Sequence, residues 1–214
     1  MKVFIIDAAG GIGARLSQQL HTRGDIVTGM HRRPEQADTI TSTGATATTG
    51  DLIHNSVEEL AELFRGHDVV VFSAGAHDTG KENTTLIDGV GLEKAAHAAI
   101  AANVQRFILV SAFPGTGLND NLGENFEHYM AVKKAADVYL SHSNLEWLIV
   151  RPGTLTDKQG SGYITAGLAI NYGDISRDNV ADFIAEAVHE PGLSRKIVEL
   201  TDGDTPIDIA VKQL

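Results

Sequence analysis

The sequence predicts an α/β fold, a single doubly wound Rossmann-like domain with a mainly parallel sheet, helices on both faces and a small C-terminal substrate region. Three observations carry that expectation. Short aliphatic or β-branched runs alternate with helical patterns almost from end to end, which implies parallel strands joined by right-handed crossovers. The first run leads straight into a glycine-rich turn, Asp7-Ala8-Ala9-Gly10-Gly11-Ile12-Gly13. At 214 residues the chain can bury one sheet between two helical layers. No repeat, low-complexity segment or linker divides it, so residues 1–214 are read as one unit.

Each element has its own signal. Residues 2–6 read as a buried strand, and 12–23 as a helix with Ile12, Leu16 and Leu20 on one face. Residues 26–30 form the next strand, followed by a turn at Arg33-Pro34. A short third strand is expected at 45–48, then a helix at 56–64 with a capping box from Ser56 to Glu59. Residues 69–73 are a β-branched run too short for a helix, hence strand four. A long alanine-rich helix is expected at 84–102, strand five at 107–111, a helix at 124–143 and strand six at 146–150. The second half is less regular, with a helix at 178–189, a strand at 197–201 and a terminal helix at 207–214.

Composition narrows the function. Apolar residues are 43% and charged residues 21% of the chain, ordinary for a globular protein. Net charge is −11, with no basic block longer than His31-Arg32-Arg33, so a nucleic-acid partner is not expected. No apolar run reaches the length of a membrane span, and the first four apolar residues are too few for a signal-peptide core. With no cysteine in the chain, a cytoplasmic location is expected, and thiolate chemistry is excluded. The nine histidines lack metal-binding spacings, so no metal site is expected.

In a doubly wound sheet the ligand sits beyond the carboxyl ends of the strands, where the strand order reverses. A strand, a turn containing Gly10, Gly11, Ile12 and Gly13, and then a helix brings backbone N–H groups onto a pyrophosphate. Gly10 lets the backbone approach, and Gly13 lets the helix pack on the strand. The usual G-x-x-G-x-x-G spacing would place a glycine at position 7, where this chain has Asp7. Its carboxylate either repels phosphate or caps the helix start, and the intact strand and glycines favour the cap.

After strand two no acid stands ready for the ribose hydroxyls, and Arg32 and Arg33 suit a 2′-phosphate. NADP is therefore the expected cofactor, with NAD as the alternative. Asp51 and Leu52, after strand three, are placed to reach the adenine. Ser73, Ala74 and Gly75, after strand four, are small enough for a cofactor to cross the sheet edge. Tyr129 and Lys133 lie four apart on one helix face, where the ammonium is expected to lower the phenol pKa. Ser111, at the end of strand five, is placed to hydrogen-bond a substrate carbonyl or alcohol.

Taken with Arg151-Pro152-Gly153-Thr154-Leu155, these residues resemble the short-chain dehydrogenase/reductase superfamily over nearly the whole chain. The small size, the stretch from Ile175 to Ala181 and the stretch from Glu199 to Gly203 are similar to its atypical NAD(P)H-binding branch. That branch includes epimerase/dehydratase-like, NmrA-like and NADH-flavin-reductase-like proteins. The resemblance implies that Lys133 holds the nicotinamide ribose, Tyr129 is the acid/base and Ser111 orients substrate. It implies that Pro152, Gly153, Thr154 and Leu155 line the nicotinamide face, and that Asp88 takes the fourth active-site position.

Substrate selection is expected from residues 113–128, whose Gly115, Gly117, Asn119, Asp120 and Asn121 suggest a mobile lid, and from residues 157–172. An oxidoreductase acting on a small carbonyl, quinone or flavin acceptor is the expected function. A non-catalytic NADP(H)-binding sensor and an epimerase/dehydratase-like enzyme are the alternatives. The expected partner is a small-molecule substrate, with the chain a monomer or homodimer.

Overall fold

The computed structural model describes residues 1–76, 79–114 and 122–214. The first half runs β1 (Lys2–Ile6), α1 (Gly11–Thr22), β2 (Ile26–His31), α2 (Ala37–Ser42), β3 (Thr46–Thr49), α3 (Val57–Phe64), β4 (Val69–Phe72), α4 (Lys81–Thr84) and α5 (Leu92–Ala101). There follow β5 (Arg106–Val110), α6 (Gly123–Ser141), β6 (Glu146–Pro152), β7 (Thr154–Thr156), β8 (Tyr163–Gly167), β9 (Asp174–Ser176) and α7 (Arg177–Ala187). The chain closes with β10 (Lys196–Asp202), β11 (Thr205–Pro206) and α8 (Ile207–Gln213).

The main sheet is ordered β11-β8-β10-β6-β5-β4-β1-β2-β3. Its strands from β3 to β10 are parallel, and β8 runs antiparallel to β10. The order reverses between β1 and β4, so a crevice opens beyond Ile6 and Phe72. This is the predicted doubly wound, Rossmann-like α/β fold.

Alternation along the strands separates two cores. Val3 and Ile5 of β1 face α1 and α7, packing with Leu16, Leu20, Val180 and Ile184. Phe4 and Ile6 face the other way, onto Leu60 and Phe64 of α3 and Leu92 of α5. The Phe4 and Phe64 rings lie 4.8 Å apart, and each fully buried side chain of this size contributes about 1.5–3 kcal/mol. Ala95, Ala98 and Ala99 are fully buried, so their small side chains bring α5 close to the sheet. The Ser56 capping box forms as expected. Ser56 Oγ accepts from Glu59 N at 3.2 Å, and Glu59 Oε2 accepts from Ser56 N at 2.8 Å.

Three features differ from the sequence reading. The helix expected at 84–102 begins at Lys81 and contains a π-helical stretch, Thr85–Gly91, before α5. Helix α2 was not expected because Ile40 is its one buried residue, too little to produce a period. Strands β7, β8, β9 and β11 also went unread, being too short to show a hydrophobic period, so that pairing defines them. No helix among the described residues is long and apolar enough to cross a membrane.

Candidate active site

Strand β1 ends at the turn. Asp7 adopts a left-handed backbone, φ 63°, and its carbonyl accepts from Gly10 N at 3.0 Å. This is the conformation that glycine adopts without strain and that aspartate tolerates better than most residues. A Cβ on Gly13 would collide with the Asp7 carbonyl and come within 2.9 Å of Ala8 Cα, so α1 packs on β1 only through a glycine. A Cβ on Gly10 would strike the Asp7 carboxylate, which therefore leans over the turn.

Two cavities meet at this turn, sharing Asp7, Ala74 and Gly75. The smaller, about 380 Å³, is lined by Arg32, Arg33, Asp51 and Leu52. Arg33 pairs with Glu35 at 3.3 Å, whereas Arg32 has no ion pair among the described residues. The Asp51 carboxylate, expected to reach outward, is taken up by its own loop. It accepts from Ile53 N at 2.7 Å and contacts His54 Nδ1 at 3.0 Å. Burial pushes its pKa up, but the hydrogen bonds from His54 and Ile53 outweigh burial and leave it lowered. Ser73 is likewise committed, its Oγ donating to Ile6 O at 2.7 Å to tie the ends of β1 and β4 together.

The larger cavity, about 670 Å³, is lined by Ser111, Tyr129, Lys133, Asp88, Phe126 and Leu155, with Arg177 at its edge. Lys133 is buried on α6, where its Nζ donates to Val110 O at 2.9 Å and pairs with Asp88 Oδ1 at 3.4 Å. Asp88 is 1% exposed and accepts from Ala76 N at 2.9 Å. It lies within the π stretch, in keeping with the frequent occurrence of such bulges at functional sites. The expected lowering of the Tyr129 pKa is not what the structure produces. Burial raises it, and the Lys133 ammonium only partly offsets that rise.

The Ser111 hydroxyl is enclosed. Its Oγ and Asp137 Oδ1 are both buried without a well-formed hydrogen bond, although the hydroxyl lies near enough to lower the Asp137 pKa. Burial dominates and leaves Asp137 raised, despite Arg151 Nε at 2.9 Å. Asp137 was missed in the sequence. Its signal was the continued spacing of four from Tyr129 through Lys133. Arg177 stands in the stretch from Ile175 to Ala181 but was given no site role, because nothing local links it to the turn.

From the stretch 152–155, only Leu155 lines the larger cavity. Pro152 belongs to β6, Gly153 N donates to Leu200 O at 2.9 Å, and the Thr154 hydroxyl meets the Tyr172 hydroxyl. The stretch 157–172, expected to select substrate, contributes no lining residue, because β8 extends the sheet instead. Leu122, Asn125 and Phe126 do line the cavity. The expected lid residues Gly115, Gly117, Asn119, Asp120 and Asn121 lie outside the described residues.

Fold and site together define the Rossmann-type dinucleotide-binding class. Within it, the chain belongs to the NAD(P)H-binding family, whose family model matches residues 8–191. It is 38% identical over 216 residues to a Bacillus subtilis (strain 168) protein named as an uncharacterized sugar epimerase, YhfK, covering 100% of both chains. A solved Bacillus halodurans structure described as an NAD-dependent epimerase/dehydratase superposes with a TM-score of 0.91 and 33% identity, covering 100% of each chain. The oxidoreductase ylbE of Lactococcus lactis superposes with a TM-score of 0.87 and 28% identity, covering 100% of this chain and 96% of the other.

Proposed function

We propose that the protein is an NADPH-preferring oxidoreductase passing hydride to a small carbonyl, quinone or flavin acceptor. The observation that carries this reading is the pairing of cavities at the β1/β4 switch. Arg32 and Arg33 edge one, Tyr129 and Lys133 line the other, and Asp7, Ala74 and Gly75 join them. The larger cavity falls within the size range of small-molecule sites.

A bound reduced nicotinamide supplies the hydride. Gly10, Gly11, Ile12 and Gly13 receive the diphosphate, Arg32 and Arg33 the 2′-phosphate, and Lys133 the ribose beside the nicotinamide. Hydride addition to a carbonyl carbon leaves an alkoxide, which takes the Tyr129 proton to give the alcohol. Burial makes the phenol a weaker acid than a free tyrosine, yet it remains far more acidic than the alcohol whose alkoxide it protonates. Ser111 shares the developing charge once its enclosed hydroxyl turns from Asp137 toward the substrate.

The enclosed Ser111 hydroxyl favours a second reading, a non-catalytic NADP(H)-binding module. The relative named as a sugar epimerase favours a third, an epimerase/dehydratase-like enzyme, which predicts NAD retained through purification.

Fluorescence titration with NADPH and NADH, followed by turnover on a carbonyl, quinone and flavin panel, separates these readings. A preference for NADPH of tenfold or more, about 1.4 kcal/mol, supports the proposal. Turnover that falls by about 10²-fold or more in Tyr129→Phe supports the general acid. Tight binding without turnover selects the binding module. Binding of neither nucleotide overturns the cofactor reading.

A further inference from the structure

We infer that Arg177, at the start of α7, binds the cofactor diphosphate from beside the glycine turn, with Asp157 as its counter-charge in the free protein. This rests on the cleft being a nicotinamide-dinucleotide site.

The placement is direct. A Cβ built on Gly11 would lie 2.9 Å from Arg177 Cδ and 3.1 Å from its Nε, so the side chain crosses the first residue of α1. It also edges the larger cavity. A diphosphate seated on the N-terminus of α1 is therefore within reach of a planar, bidentate donor.

The surrounding charge leaves the task to this residue. The chain carries a net −11, and Asp7 leans over the turn. Arg15, the other guanidinium nearby, is committed to Asp178 Oδ1 at 2.6 Å and to Gly11 O at 2.7 Å, and reaches Asp157 Oδ1 at 3.4 Å. Lys133 is buried against Val110 O and Asp88. Among the described residues Arg177 is ion-paired with Asp157 alone, Nη1 to Oδ2 at 3.0 Å, and the Asp157 side chain, 72% exposed, is shared with Arg15. Exposed pairs of this kind are weak and readily exchanged for a stronger anion.

The backbone beneath Arg177 is firmly held. Ser176 Oγ accepts from Asn179 N at 3.0 Å, and Asn179 Oδ1 accepts from Gly162 N at 3.0 Å. Asp178 Oδ2 accepts from Gly160 N at 2.9 Å, fastening the segment that carries Asp157 to the same helix end. The guanidinium is thus presented by a fixed base with an exchangeable partner.

The test is titration of NADPH and NADH against the wild-type protein, Arg177→Ala, Arg177→Lys, Asp157→Asn and Arg32→Ala, with a thermal melt of each. The diphosphate is common to both nucleotides. Arg177→Ala should therefore weaken both about tenfold or more by the same factor, leaving their ratio unchanged. Arg177→Lys should fall between, and Asp157→Asn should tighten both. Arg32→Ala should instead lower the NADPH to NADH preference. If Arg177→Ala fails to fold, Arg177→Gln carries the same expectation. Unchanged affinity in a folded Arg177 variant, or a loss confined to NADPH, overturns the inference while leaving the cofactor reading intact. A wild-type protein that binds neither nucleotide removes both.

Discussion

Asp7 occupies a position where the turn requires φ 63°, and its carboxylate lies against the glycine that opens α1. The first fact costs stability, and the second works against cofactor binding. The left-handed backbone strains any residue with a Cβ, by roughly 1 kcal/mol, and the carboxylate faces the place a diphosphate would take. Asp7→Gly should therefore tighten NADPH about tenfold, about 1.4 kcal/mol, in a fluorescence titration. Unchanged or weaker binding would show that the carboxylate does not oppose the ligand. Tyr129 shows a second residue-scale effect, in which burial overrides the neighbouring ammonium and sets the direction of its pKa.

Among the elements, α1 depends on one missing atom. It packs against β1 through Gly13, and the obstacle to a side chain there is the backbone of Asp7 and Ala8, which cannot rotate aside. Gly13→Ala should destabilise by about 1–3 kcal/mol, lowering the melting temperature by several degrees. It should also impair NADPH binding, because the whole turn shifts with the helix. A variant with wild-type melting and affinity would contradict the packing argument. The π stretch before α5 is a local irregularity that carries Asp88, the partner of Lys133.

At the scale of the molecule, Asp25 joins the start of β2 to the end of α7. Its side chain is 2% exposed, and its Oδ2 contacts His189 Nε2 at 2.9 Å. Burial pushes its pKa up, but the hydrogen bonds from the Met1 ammonium and His189 outweigh burial and hold it below the ordinary 3.8. A depressed folded-state pKa confers stability above the unfolded value, and that stability is lost as pH falls through the aspartate range. Asp25→Asn should cost about 1–3 kcal/mol at neutral pH. The gap to wild type should close as the solution is acidified below the ordinary aspartate pKa. Denaturation curves that stay a constant distance apart through that range would count against this linkage.

The alternation of strands and helices, the glycine turn and the Ser56 capping box were legible in the sequence because each is a local pattern. Burial period and cap chemistry are set within a few residues. That was enough to determine the doubly wound sheet and to place Arg32, Ser111, Tyr129 and Lys133 at strand ends or on one helix face. Only the tertiary structure decided which polar groups remained available. Asp51 closes its own loop, Ser73 ties two strands, and the Ser111 hydroxyl lies against Asp137. Arg177 reaches Gly11 across more than 160 residues of chain because α7 packs on α1. A side chain's partner is set by distances between elements remote in sequence, and no local period records those distances.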